Sequence, residues 1–154
     1  MARRPVALVA ALVLVVEAVG LAWLNWFLGV VVDNQQMSLA GLDPHAMTVG
    51  SWVAGGLIGL YLLLCAGVLL RTGLRDRAPG GLGRTVLISA AVLHAVLGAL
   101  SVGLAGWPAF AFLMAVLGLL VLTLVAYGEH AREEGEQGSD GTPTTAAANG
   151  PSPA

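Results

Sequence analysis

Apolar positions along this chain neither alternate with polar ones nor mark out one face of a helix. They run on almost unbroken through four stretches, at about residues 5–32, 46–70, 84–105 and 108–128. Each reaches the roughly 20 residues that an α-helix needs to cross a bilayer. The pattern predicts an all-α fold, a four-helix transmembrane bundle running up-down-up-down. The first stretch continues through Trp23, Trp26, Phe27 and Leu28. A signal peptide has an apolar core of only about 7–15 residues, so the expectation is an uncleaved span.

The boundaries carry their own signals. Asp43 is placed to N-cap the second helix, with Pro44 at its first position, where a missing N–H does no harm. Arg71 and Gly73 mark its end. Gly106-Trp107 leaves only a tight turn before Pro108, so the third and fourth spans are expected to be antiparallel neighbours. Residues 1–135 then form one transmembrane domain. Residues 136–154 are mainly Gly, Ser, Thr, Ala, Asn and Pro, with nothing to bury, and are expected to be a disordered cytoplasmic tail.

Composition agrees with the pattern. Hydrophobic residues make up 57% and charged residues 10%, against about 25% charged in soluble domains. Mean hydropathy is +0.84. The net charge of −2 says little about partners, and all seven basic residues are arginine. Arg3 and Arg4 precede the first span, Arg71, Arg75, Arg77 and Arg84 separate the second from the third, and Arg132 follows the fourth. The positive-inside rule therefore puts both termini in the cytoplasm of a multi-pass protein of the cell (cytoplasmic) membrane. Trp23, Trp26, Trp52 and Trp107 fall at the opposite ends of their spans, as an aromatic belt does. The loop arginines are explained by this topology. They are also placed to touch anionic headgroups, and they do not make a nucleic-acid site. Glu129, Glu133, Glu134 and Glu136 read as a solvated helix end.

Chemistry is sparse. Cys65 is the only cysteine, which excludes an intrachain disulfide and a four-cysteine metal site. A bis-histidine haem needs two buried imidazoles, and His45 and His130 lie at or beyond opposite faces. Asp33, Asp43 and His45 match no metal spacing and read as a solvated loop. No catalytic group, cofactor or metal is expected.

What remains is a set of polar residues at costly depth. Glu17 sits near the middle of the first span, where an unpaired carboxyl costs roughly 2.5–3.5 kcal/mol. One reading makes it a proton or cation site. The other makes it a hydrogen-bonding group that fixes helix packing. His94 on the third span and Tyr61 on the second lie at similar depth by the rise of ~1.5 Å per residue. Glu17, Tyr61 and His94 are thus a candidate intramembrane cluster, either a proton relay or three groups satisfying one another. Small-residue stripes are expected to let helices pack closely: Ser51, Gly55 and Gly59 on the second span, Ala91, Ala95 and Gly98 on the third, Ala111, Ala115 and Gly118 on the fourth.

Four short spans with one Glu in the first resemble the small multidrug-resistance transporters. That resemblance implies proton and drug-cation binding at Glu17 alone. The chain departs from that family in lacking a tryptophan on the third span and in its strong arginine bias. The Arg-only, Ala/Gly/Val/Leu-rich composition and the Pro/Thr/Ala tail resemble small four-span integral membrane proteins of actinobacteria, a likeness that brings no activity with it. Two functions follow. The first is a non-enzymatic accessory or interaction protein whose partners are the lipid bilayer and a membrane protein or a second copy of itself. The alternative is a small proton-coupled transporter using Glu17.

Reporter fusions at Ala2, Gln36, Arg77 and Gly150 test the orientation. The expected readout is in, out, in, in, and an extracellular reporter at Gly150 reverses it.

Overall fold

A computed structural model describes residues 3–35, 41 and 43–139. The described chain consists of four helices: α1 (Arg3–Gln35), α2 (Pro44–Arg75), α3 (Gly81–Leu104) and α4 (Trp107–Ser139). All four contain a segment long and apolar enough to cross a membrane. The chain is therefore an all-α multi-pass membrane protein. At about 1.5 Å per residue, α1 and α2 each run for roughly 50 Å and extend past a hydrocarbon core of about 30 Å. The helix of α4 persists through residues 136–139, into the segment expected to be disordered. Residues 140–154 of that tail lie outside the described residues.

Local chemistry sets the helix ends. Asp43 caps α2 by accepting the His45 backbone N–H at 2.8 Å, with Pro44 next to it. Asp76 terminates α2 in the left-handed region, at φ 51°, a conformation that Asp and Asn tolerate better than most residues. The α3–α4 turn has the two residues expected but lies one position earlier, on Ala105 and Gly106. The Ser101 carbonyl accepts both of their N–H groups, at 2.8 and 2.9 Å, and Gly106 reverses the chain at φ 85°.

The helices are arranged in a ring, each against its sequence neighbours and α4 back against α1. Among the described residues α1 and α3 do not approach backbone to backbone, nor do α2 and α4. The α1–α2 pair packs most extensively and the α2–α3 pair least. Asp76 at the end of α2 forms an ion pair with Arg4 at 3.1 Å and accepts the Tyr127 hydroxyl of α4 at 3.4 Å. The start of α1, the end of α2 and the later part of α4 thus share one end of the bundle. The four tryptophans lie towards the other.

The α1–α2 contact is built on small residues and borrowed carbonyls. Three α2 side chains donate to α1 backbone oxygens: Thr48 to Gly29 at 3.3 Å, Ser51 to Asn25 at 2.9 Å and the Trp52 indole to Trp26 at 3.2 Å. Further along, a Cβ on Gly55 would lie 2.5 Å from the Asn25 Cβ, and one on Gly59 would lie 3.5 Å from the Ala18 oxygen. A Cβ on Gly73 would meet Leu8 and Ala7. The two helices therefore stay in antiparallel register along most of their length.

On the other helices the small stripes settle differently. Ala91 and Gly98 are buried, while Ala95 is exposed. A Cβ on Gly98 would collide with Met114, so this glycine faces a long flexible side chain on α4 and not the small residues expected there. Ala111, Ala115 and Gly118 are exposed, so the small-residue stripe of α4 does not pack within the bundle. The buried face of α4 is instead Val116, Leu120, Thr123 and Tyr127. Long apolar side chains such as Leu12, Leu57, Leu60 and Leu122 point outward, where the bilayer is their solvent.

The Gly55 contact is directly testable. Gly55→Leu overpacks the α1–α2 interface and is expected to cost on the order of 1–3 kcal/mol. Gly56 has open space where its Cβ would be, so Gly56→Leu is the matched control and should cost little. Unfolding in mixed micelles compares the two. Equal stability would mean that α1 and α2 do not approach at Gly55.

Candidate functional site

Two elements whose backbones do not approach are joined by a pair of polar side chains. Glu17 on α1 and His94 on α3 approach with Oε2 and Nε2 3.2 Å apart. Both are enclosed, with side-chain exposures of 8% and 2%. Small residues make the crossing short. Ala18 on α1 and Ala90 and Ala91 on α3 are buried beside the pair in sequence, and all belong to one core with Leu14, Val116 and Leu120.

The proton positions follow from hydrogen-bond chemistry. His94 Nδ1 lies 2.7 Å from the Ala90 carbonyl oxygen, one turn back on its own helix. A carbonyl only accepts, so Nδ1 carries hydrogen. Nε2 is then the atom that meets the carboxyl. Either the Glu17 acid donates to a bare Nε2, or an imidazolium N–H donates to the Glu17 carboxylate. Both arrangements hold one shared proton and have no net charge. The pair is thus a neutral unit in either form, which removes most of the cost of an isolated charge in hydrocarbon.

Tyr61 is not part of this unit. Its hydroxyl lies 2.7 Å from Ser89 Oγ on α3, and Ser89 in turn donates to the Val86 carbonyl at 2.8 Å. The Ser89 proton is committed, so Tyr61 donates to Ser89. Depth matching placed Tyr61 at the right level. Five residues separate Ser89 from His94, however, which is about 140° of helix rotation. The Tyr61–Ser89 link therefore lies on the outside of the α2–α3 contact, while His94 points into the bundle. Ser89 was not singled out from sequence. Its signal was a hydroxyl between Ile88 and Ala90 in a mainly apolar span that also holds Thr85 and Ser101.

Most other polar groups in the spans are satisfied locally. Asn25 donates to Leu21 at 2.9 Å, Ser101 to Gly98 at 2.7 Å and Thr123 to Leu119 at 2.7 Å. Cys65 is buried in the apolar core. Asp43 is engaged as the α2 cap, and no group of three or more metal-ligating side chains occurs among the described residues. No protein-family model matches the chain, and comparison with curated proteins and with solved structures gives no match.

A double-mutant cycle measures the contact. Glu17→Leu, His94→Leu and the double variant should reveal a coupling of about 0.6–2 kcal/mol in micelle unfolding. The double variant is expected to be more stable than the two single losses imply, because neither partner is left unpaired. Strict additivity would place the two side chains out of contact.

Proposed function

We propose that the chain is a non-enzymatic integral protein of the cell (cytoplasmic) membrane, with both termini in the cytoplasm. In this reading it acts through another membrane protein or a second copy of itself. The enclosed Glu17–His94 bond carries it. Each partner completes the other across the bundle, and the residues one turn away towards the core, Leu14, Leu21, Ala90 and Ala91, are apolar. A polar pair confined to one layer of an apolar core behaves as a brace that fixes which helix faces meet. The orientation rests on the arginine distribution and the tryptophans at the other end of the bundle.

One observation favours a second reading, proton-coupled transport. A carboxyl and an imidazole sharing a single proton are both titratable, and the carboxyl stands on the first span, as in the small multidrug-resistance transporters. Glu17 would be the coupling group and His94 its proton partner.

Proteoliposomes separate the two. Glu17→Gln keeps a donor for His94 Nε2 but removes the exchangeable acid proton. Under the brace reading the parent carries no proton flux driven by gradients of small organic cations, and Glu17→Gln folds and retains parental stability. A pH-dependent flux in the parent that is lost in folded Glu17→Gln would replace the accessory role with transport.

A further inference from the structure

The loosest seam of the ring, between α2 and α3, opens at the arginine-bearing end into a cleft of about 440 Å³, within the range of small-ligand sites. Arg71, Thr72 and Arg75 line it from the last turns of α2, Arg77, Ala78, Pro79 and Gly80 from the connection, and Gly83 from the first turn of α3. The three arginines have no carboxylate partner among the described residues, since the nearby Asp76 is engaged by Arg4. The cleft thus gathers uncompensated positive charge.

Its walls add oriented donors. The cap of α3 is Gly80, which has no side chain to satisfy the first backbone N–H groups of that helix. Those groups stay available to an anion. Thr72 supplies an independent sign. It is 4% exposed, yet its hydroxyl has no hydrogen-bond partner among the described residues. The hydroxyls of Thr48, Thr85, Ser89, Ser101 and Thr123 all donate to a carbonyl one turn back. Every fully hidden side-chain polar atom that is described has a partner. The Thr72 hydroxyl is therefore the part of the residue that the cleft reaches.

We propose that this cleft binds a phosphate group, held by the guanidinium forks of Arg71, Arg75 and Arg77, the Thr72 hydroxyl and the N-terminal amides of α3. Planar guanidinium groups match phosphate oxygens in pairs. The phosphate has two sources, the headgroup of an anionic phospholipid or free phosphate. The headgroup suits the surroundings better. Leu74 and Leu82, next in sequence to the cleft residues Arg75 and Gly83, are 66% and 87% exposed, and a lipid's acyl chains would cover them. A phosphate seated here would also join α2 to α3 where their own packing is thinnest.

The test uses the full chain in phosphatidylcholine nanodiscs with and without a minor fraction of phosphatidylglycerol, read by native mass spectrometry of retained lipid. Selective retention of phosphatidylglycerol is expected. Arg75→Gln should lower it about tenfold and Thr72→Val about threefold. Arg84→Gln removes the same charge outside the cleft and should change it little. A second arm adds inorganic phosphate to phosphatidylcholine-only discs. Saturable protection of the chain against thermal unfolding there, without phosphatidylglycerol selectivity, would identify free phosphate as the occupant. Circular dichroism checks that each variant folds, and the parent's lipid selectivity stands as a readout independent of any variant. No selectivity and no phosphate protection in the parent would overturn the proposal, as would equal losses in Arg75→Gln and Arg84→Gln.

Discussion

Lipid offers no hydrogen bonds, so each polar group within the spans must find its partner inside the protein. The fold is organised around that constraint. Hydroxyls on α3 and α4 return to their own backbone one turn earlier. On α2, Thr48 and Ser51 reach across to carbonyls of α1, and in doing so help to lock the register of the first hairpin. Glu17 is too long and too central to be satisfied by its own helix. Its partner has to come from across the bundle, and His94 is held ready for it by the Ala90 carbonyl.

The same constraint explains why close packing is uneven. Where α1 and α2 meet, Gly55 and Gly59 remove the side chains that would hold the backbones apart, and donors such as Ser51 then come within reach of carbonyls on the neighbouring helix. Where α2 and α3 meet, Leu62, Leu69 and Leu87 belong to the core, and Tyr61 and Ser89 form a polar link. Long apolar side chains at a helix contact keep backbones apart. A separated seam leaves room at its end for the arginine-lined cleft.

What could be read in the sequence, and what could not, follows from one physical distinction. Hydropathy fixes position along the bilayer normal, so the four spans, the Asp43–Pro44 start of α2 and the shared depth of Glu17 and His94 were legible. Rotation about each helix axis was not. In a soluble helix a polar face marks the outside. Here both faces are apolar, and the outward side of α4 carries Ala111, Ala115 and Gly118 while its inward side carries Val116 and Leu120. Small residues alone did not identify the packed side. Tyr61 was misplaced for the same reason, being right in depth and wrong in azimuth. The cleft was illegible on other grounds. It depends on a hydroxyl left without a bond, and only three-dimensional placement reveals that.

The bundle is best viewed as two hairpins, α1–α2 and α3–α4, with Glu17–His94, Tyr61–Ser89 and Tyr127–Asp76 among the ties between them. These three fall from the middle of the bundle to its arginine-bearing end. The bonds of Thr48, Ser51 and Trp52 at the tryptophan end stay within the first hairpin. The central tie depends on how many protons it holds. With one, a proton hop between Oε2 and Nε2 alters charge separation but preserves the hydrogen bond. With two, the imidazolium still donates to the acid's carbonyl oxygen, but the core now carries a net positive charge. With none, a carboxylate faces a bare nitrogen, two acceptors repel, and the tie is lost. A brace needs only the one-proton state. A coupling site has to visit one of the other two, and each such visit would charge the core, the zero-proton state also breaking the central tie between the hairpins. The choice between the two functional readings thus reduces to one quantity, the number of protons held between Glu17 and His94.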